Sequence, residues 1–309
     1  ISANQQRKQK SLWTDRGGGA PIVAFEAYDE TEEGDRIAAE IARLLDEGAT
    51  ELQNGGDEFP FALGGGYDGF DTPQTFRTFN RALRARVAAY QEDYATALTA
   101  LGESFIDDTA MTVADLNVGV YYSYSTGAGD TTNALINPNI YAHPSLAIDA
   151  MKNGANVDER FARKVKMTDM PGSAQGLTSN LAFTIYTSPS SPVPLIRNEE
   201  LILLRAEAKF FTSDVPGAVA DLNIVRTVSG SLQPIAGTPD EATFITDLLY
   251  EREFSLLFEG HRWIDVRRFG RLDTLPLDMP DFTRNRRFPI PLAECNARPK
   301  EPKCDLGSL

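Results

Sequence analysis

The sequence predicts a mainly α protein: helical hairpins interrupted by a long irregular insertion that contains short strands. Three observations predict it. Apolar residues recur at steps of three and four along Phe76, Phe79, Leu83, Val87 and Tyr90, and again along Tyr94, Ala97, Leu98, Leu101 and Phe105. The same pattern returns 121 residues later. Between the two copies, from about 107 to 193, helical periodicity is lost and turn-forming residues alternate with aromatics.

In chain order, the first helix is expected after Thr31, with Ile37, Ile41 and Leu44 at helical spacing and Gly48 as its stop. A loop rich in glycine and aromatics follows, "NGGDEFPFALGGGYDGFD". Thr72-Pro73 then reads as an N-cap with proline in the first helical turn. It opens a hairpin over about 73–106 whose two helices are separated by "QED". Shifting by 121 residues aligns Leu83-Arg84-Ala85 with Leu204-Arg205-Ala206, Tyr90 with Phe211, Asp93 with Asp214, Ala97 with Ala218 and Leu101 with Leu222. A second hairpin is therefore expected over about 198–229. Small residues that let two helices approach, with an aromatic near the turn, make both hairpins tetratricopeptide-like.

The insertion reads as a strand in "LNVGVYYSYS", a short helix in "HPSLAIDAMKNG" and a β-prone stretch "LAFTIYTSPSSPVPLI". Connections this long in a compact helical protein are usually functional or disordered, and the insertion is read as carrying recognition on a hairpin scaffold. The last helix is expected after Thr238-Pro239 and through "DEATFITDLLYEREFSLLFEG", ended by Gly260. Its apolar residues surround the axis, so it should be buried, and Glu251 and Arg252 must then be paired. Arg262, Asp265, Arg267 and Arg268 stand just downstream as partners. With Glu259 and Trp263 they read as an ion-paired structural brace.

The 309 residues are 42% apolar and 24% charged, an ordinary globular balance. The net charge of -14 disfavours nucleic acid and anionic lipid as partners. No apolar run is long enough to span a membrane, and "ISANQQRKQK" has no apolar signal region. The only histidines are His143 and His261, without metal-site spacing, and no metal or other cofactor is expected. Cys295 and Cys304 fit a small disulfide loop or two free thiols equally well on spacing. Gly64, Gly66 and Gly69 match a phosphate-loop spacing, but no strand precedes them and Asp68 and Asp71 would repel phosphate. No pair of the forty-four acids stands out, so no catalytic residue is assigned. The candidate ligand contacts are loop aromatics and an amide: Trp13, Tyr67, Phe70, Tyr122, Tyr124 and Asn133. Strand alternation places Tyr122 and Tyr124 on one face.

"LYEREFSLLFEGHRWIDVRRFGR", followed by "RRFPIPLAEC", resembles the C-terminal signature of the SusD/RagB family. The two hairpins resemble those that family carries, and the likeness covers most of residues 20 to 300. The resemblance implies one SusD-like domain over 1–309, with a C-terminal signature helix and tail at 239–309. It implies a non-enzymatic lipoprotein of the outer membrane's extracellular face, which captures oligosaccharide or another nutrient for a SusC-type TonB-dependent transporter. It favours a Cys295–Cys304 disulfide, because that location is oxidising. The family's lipid-bearing cysteine and first hairpins have no counterpart here, so a missing N-terminal segment or a companion chain is expected. The alternative is a scaffold protein that uses its hairpins for protein assembly.

Overall fold

A computed structural model describes residues 30–174, 176–279 and 282–286, with 293 and 296. Trp13, Cys295 and Cys304 lie outside the described residues. The chain divides into two compact units, residues 1–39 and 40–309. The regular elements are α1 (Glu30–Gln53), α2 (Pro73–Tyr90), α3 (Tyr94–Gly102), α4 (Val113–Leu116), β1 (Gly119–Tyr122), α5 (Ser145–Asp149), β2 (Lys152–Asn153), β3 (Asn156–Val157), α6 (Glu159–Lys164), β4 (Val165–Ala174), β5 (Leu177–Phe183), β6 (Val193–Arg197), α7 (Asn198–Phe211), α8 (Val215–Val228), α9 (Glu241–Ser255) and α10 (Arg262–Arg268). The mainly α class is as the sequence predicts.

Helix α1 runs through Gly48 instead of stopping there. One interior glycine costs only about 1 kcal/mol relative to alanine, and tertiary contacts just before it offset that. Arg81 of α2 donates to the Leu45 carbonyl at 2.7 Å and pairs with Asp46 at 2.9 Å. Ile41 and Leu44 remain exposed on its other side.

The two hairpins match in detail. Asp93 and Asp214 cap α3 and α8, accepting from the main-chain N–H of Thr96 and Gly217. The residue before each cap, Glu92 or Ser213, takes a left-handed conformation at φ 60 and 72. The amide of each cap residue donates back, to Ala88 at 2.9 Å and to Lys209 at 2.8 Å. Ala97 and Ala218, equivalent by the repeat, are both fully buried. Tyr94 of the first hairpin stacks on Phe211 of the second with centroids 4.9 Å apart. Alanines thus set the spacing within hairpins, and aromatics fill the seam between them.

The insertion begins and ends in one ladder. β1 pairs antiparallel with β6, Gly119 opposite Arg197 and Val120 opposite Ile196. Its two ends are therefore clamped at the N-terminus of α7, where Asn198 donates to the Val118 carbonyl at 2.8 Å. Inside it lie α6 and an antiparallel β4–β5 hairpin, which the sequence reading lacks.

From Leu248 onward helix α9 is buried on nearly every side, as its apolar pattern requires, while Glu241, Ala242, Thr243 and Thr246 in its first turns are exposed; it ends at Ser255, five residues before Gly260. Leu256 to Gly260 form a turn in which Phe258 (φ 67) and Gly260 (φ 86) are left-handed. The carbonyls freed there are met by Lys164, whose ammonium donates to Phe254 at 2.9 Å and to Ser255. Burial, reinforced by the nearby Arg197 guanidinium, lowers that ammonium to about 8.

Charges on and around α9 are paired, and more widely than the downstream arginines alone would allow. Arg252 donates to Asp265 at 2.7 Å, as expected. Glu251 instead takes Arg226 at 2.7 Å and the fully buried Arg160, which also holds Asp158 at 2.6 Å. Ser255 links this group onward, accepting from Arg160 at 3.1 Å and donating to Glu199 at 2.7 Å. Arg197 then binds Glu199 and, at 2.9 Å, Glu259. Arg268 pairs with Glu207 at 2.8 Å and lies 4.6 Å over the Tyr90 ring. Arg267 covers the Trp263 ring at 4.1 Å. Arg262 reaches Glu253 at 3.0 Å with its side chain one-third exposed, which makes it the least enclosed arginine of the brace that forms an ion pair. His261 sits 3.2 Å from the Tyr90 hydroxyl, and burial lowers its pKa below the usual imidazole value.

Candidate ligand-binding site

The loop before α2 meets the insertion at β1. A glycine is required at that meeting point: a Cβ on Gly66 would stand 1.9 Å from the Tyr121 carbonyl oxygen. The close approach forms one wall of a cleft of about 540 Å3, lined by Gly66, Asp68, Phe70, Tyr121, Ser123 and Tyr124. Its volume is in the range of small-ligand sites.

Two anchors fix the loop. Tyr67 is half-buried, stacked on Phe76 at 5.7 Å and edge-on to Phe79 at 6.0 Å. Phe70 is 6% exposed and packs edge-on against Phe105 at 4.8 Å. Phe70 is thus mainly a core residue that closes the cleft floor, which corrects its expected role as a free stacking ring. Apolar burial outweighs exposure for a phenylalanine set beside a hairpin core.

Asn133 is also placed differently from expectation. It is 1% exposed and its amide is occupied: the side-chain nitrogen donates to the Ser191 carbonyl at 2.8 Å, and the side-chain oxygen accepts from the Leu135 amide at 2.8 Å. Its own amide donates to Pro189 at 2.8 Å. Asn133 therefore shapes the segment carrying Ser190 and Pro192, which line the opposite side of the cleft.

Tyr122 and Tyr124 share a face, with ring centroids 4.9 Å apart and planes tilted by 58°. Tyr122 is 51% exposed and Tyr124 lines the cleft. Tyr121, on the other face of the strand, donates from its hydroxyl to the Asn117 carbonyl at 2.5 Å. Burial raises its phenol above the usual value, so it stays neutral. The arrangement joins two aromatic rings to a carboxylate and two serine hydroxyls, and contains no nucleophile–base pair. Asp68, Ser123 and Ser190 were not singled out as ligand contacts from sequence; their only signal is adjacency to the candidate aromatics. Among the described residues no group of three or more His, Cys, Asp or Glu could hold a metal, and no helix is long and apolar enough to cross a membrane.

Hairpins clamped around a loop-built cleft define a SusD-like fold, and solved structures share it. A SusD superfamily protein from Bacteroides fragilis is 14% identical with a TM-score of 0.53, covering 76% of this chain and 61% of that one. A SusD-like carbohydrate-binding protein from the same species is 15% identical with a TM-score of 0.52, covering 74% and 58%. Surface glycan-binding protein A from Bacteroides uniformis is 16% identical with a TM-score of 0.52, covering 86% and 67%. At these identities the likeness is one of fold. The chain spans about half to two thirds of the length of the structures it matches. No curated protein sequence matches. Residues 178–287 match the SusD family model.

Proposed function

We propose that this chain is a non-catalytic glycan-binding subunit, lipoprotein-borne on the extracellular face of the outer membrane, that captures oligosaccharide and passes it to a SusC-type TonB-dependent transporter. The observation that carries the reading is Tyr124, which lines the Gly66–Tyr121 cleft, with the exposed Tyr122 ring 4.9 Å beside it. Sugar C–H faces pack on aromatic rings, while carboxylate and hydroxyl groups receive and offer hydrogen bonds to ring hydroxyls. Asp68 in the cleft and the net charge of -14 favour neutral glycans over acidic ones. The carbohydrate-binding and glycan-binding descriptions of two proteins that share the fold support the same reading. Titration with glucose-, mannose- and xylose-based oligosaccharides, paired with co-purification from outer-membrane extract, tests it. Micromolar binding and recovery with a β-barrel transporter are expected. Failure to bind any glycan would count against capture, and recovery without a barrel would count against delivery.

A further inference from the structure

A second, larger cleft lies elsewhere in the insertion. About 700 Å3 in volume, it opens between the β4–β5 hairpin and the segment before α5. The groups around it are polar and converge: Asn139, Tyr141, His143, Ser173, Thr178 and Asp278. Asp278 is held in place by His143. The Ser145 main-chain N–H donates to His143 Nδ1 at 3.1 Å, which leaves the ring proton on Nε2, facing both Asp278 oxygens at 3.0 Å. The imidazole orients the carboxylate, and its remaining lone pairs are available to a ligand. Both side chains are about one-third exposed, so a ligand can reach them. Ser173 and Thr178 hold each other at 3.1 Å and present a hydroxyl pair across the cleft.

We propose that this cleft is a second contact site for neutral glycan, separate from the tyrosine cleft; the proposal rests on the glycan-binding reading above. A fixed carboxylate accepts two hydrogen bonds from vicinal hydroxyls. Tyr141 supplies an aromatic edge, and the amide and hydroxyls read the remaining groups. The carboxylate also excludes uronate or sulfated sugars, whose charge it would repel.

The Ser145–His143–Asp278 sequence of contacts invites a hydrolytic reading, and the geometry argues against it. Ser145 Oγ is 2.9 Å from Nδ1, but that nitrogen already accepts the Ser145 N–H. Ser145 lines the neighbouring cavity and is not among the residues around the cleft that holds Asp278.

The test is calorimetric titration of the whole protein with a neutral hexasaccharide and its uronate counterpart, for wild type, Asp278→Asn, Tyr141→Ala and Tyr124→Ala. Two binding events are expected with the neutral sugar. Asp278→Asn and Tyr141→Ala should each weaken one of them about tenfold, the loss expected from a charge-assisted hydrogen bond or a ring contact. Tyr124→Ala should weaken only the other. A single event, removed by Tyr124→Ala and untouched by Asp278→Asn, overturns the second site and leaves the capture reading standing. No event with any sugar overturns both. Tighter binding of the uronate, or release of reducing ends that Ser145→Ala abolishes, overturns the assignment of this cleft.

Discussion

The two hairpins share a backbone and differ in what they bury. Where the second carries Glu199, Glu200 and Glu207, the first has Thr78, Phe79 and Arg86 at the equivalent positions. All three glutamates are buried, and each takes an arginine from a different element: Arg197 of β6, Arg86 of α2 and Arg268 of α10. The first hairpin buries mainly alanine and no acid. The repeat thus preserves caps and small contact residues, while the acids of α7 make the second hairpin the hub on which the remaining elements dock.

Substitutions can break that contrast. The largest effect is expected at Glu251, where α9 packs on the second hairpin. Glu251→Ala would strip Arg160 and Arg226 of their shared carboxylate and cost about 3–5 kcal/mol, read from the denaturant midpoint. Thr78→Ala, at the first-hairpin counterpart of Glu199, should stay within about 0.5 kcal/mol.

Acid sharpens the same contrast. Burial alone would raise the Glu199 carboxyl, but Arg197 and Lys164 outweigh it and hold the group at about 2, against 4.5 when unperturbed. Its stabilisation is present above pH 4.5 and is lost as pH falls through that interval. Glu251 moves the other way, raised by burial despite its arginines. The loss between pH 4.5 and 2 should therefore be smaller in Glu199→Gln, measured by melting temperature across that range.

Where the hairpins agree, their variants should agree. Asp93→Ala and Asp214→Ala each remove an N-cap and should each cost about 1 kcal/mol. Within the brace, the smallest effect is expected at Arg262. Its exposure makes Arg262→Ala worth about 0–1 kcal/mol in thermal unfolding, although the sequence places it beside Arg252 in the brace.

Hairpins, caps and the buried α9 were legible because period, turn chemistry and a 121-residue repeat all agree. The end of α9 was not, since "SLLFEG" carries no breaker before Gly260 and Lys164, ninety residues away, completes the terminus. The β4–β5 hairpin was hidden by its bulge and by exposed Met167 and Met170, which blur the alternation a half-buried strand shows. Of the candidate site, Tyr122 and Tyr124 could be paired from alternation alone. The roles of Phe70 and Asn133 could not, because a ring that stacks on ligand and one that closes a core have the same local sequence. The arginine-dense stretch from Phe258 to Arg271 reads as a brace in the sequence, and its contacts are chiefly structural. Recognition is assigned to plainer loops.

That division has a direct measurement: affinity of Tyr122→Ala/Tyr124→Ala for an oligosaccharide the wild type binds, taken together with its melting temperature. Two lost rings at about 0.5–1.5 kcal/mol each should weaken binding by about fivefold to a hundredfold while leaving melting nearly unchanged. Wild-type affinity in the double variant, or a loss of binding that merely follows unfolding, would contradict the account.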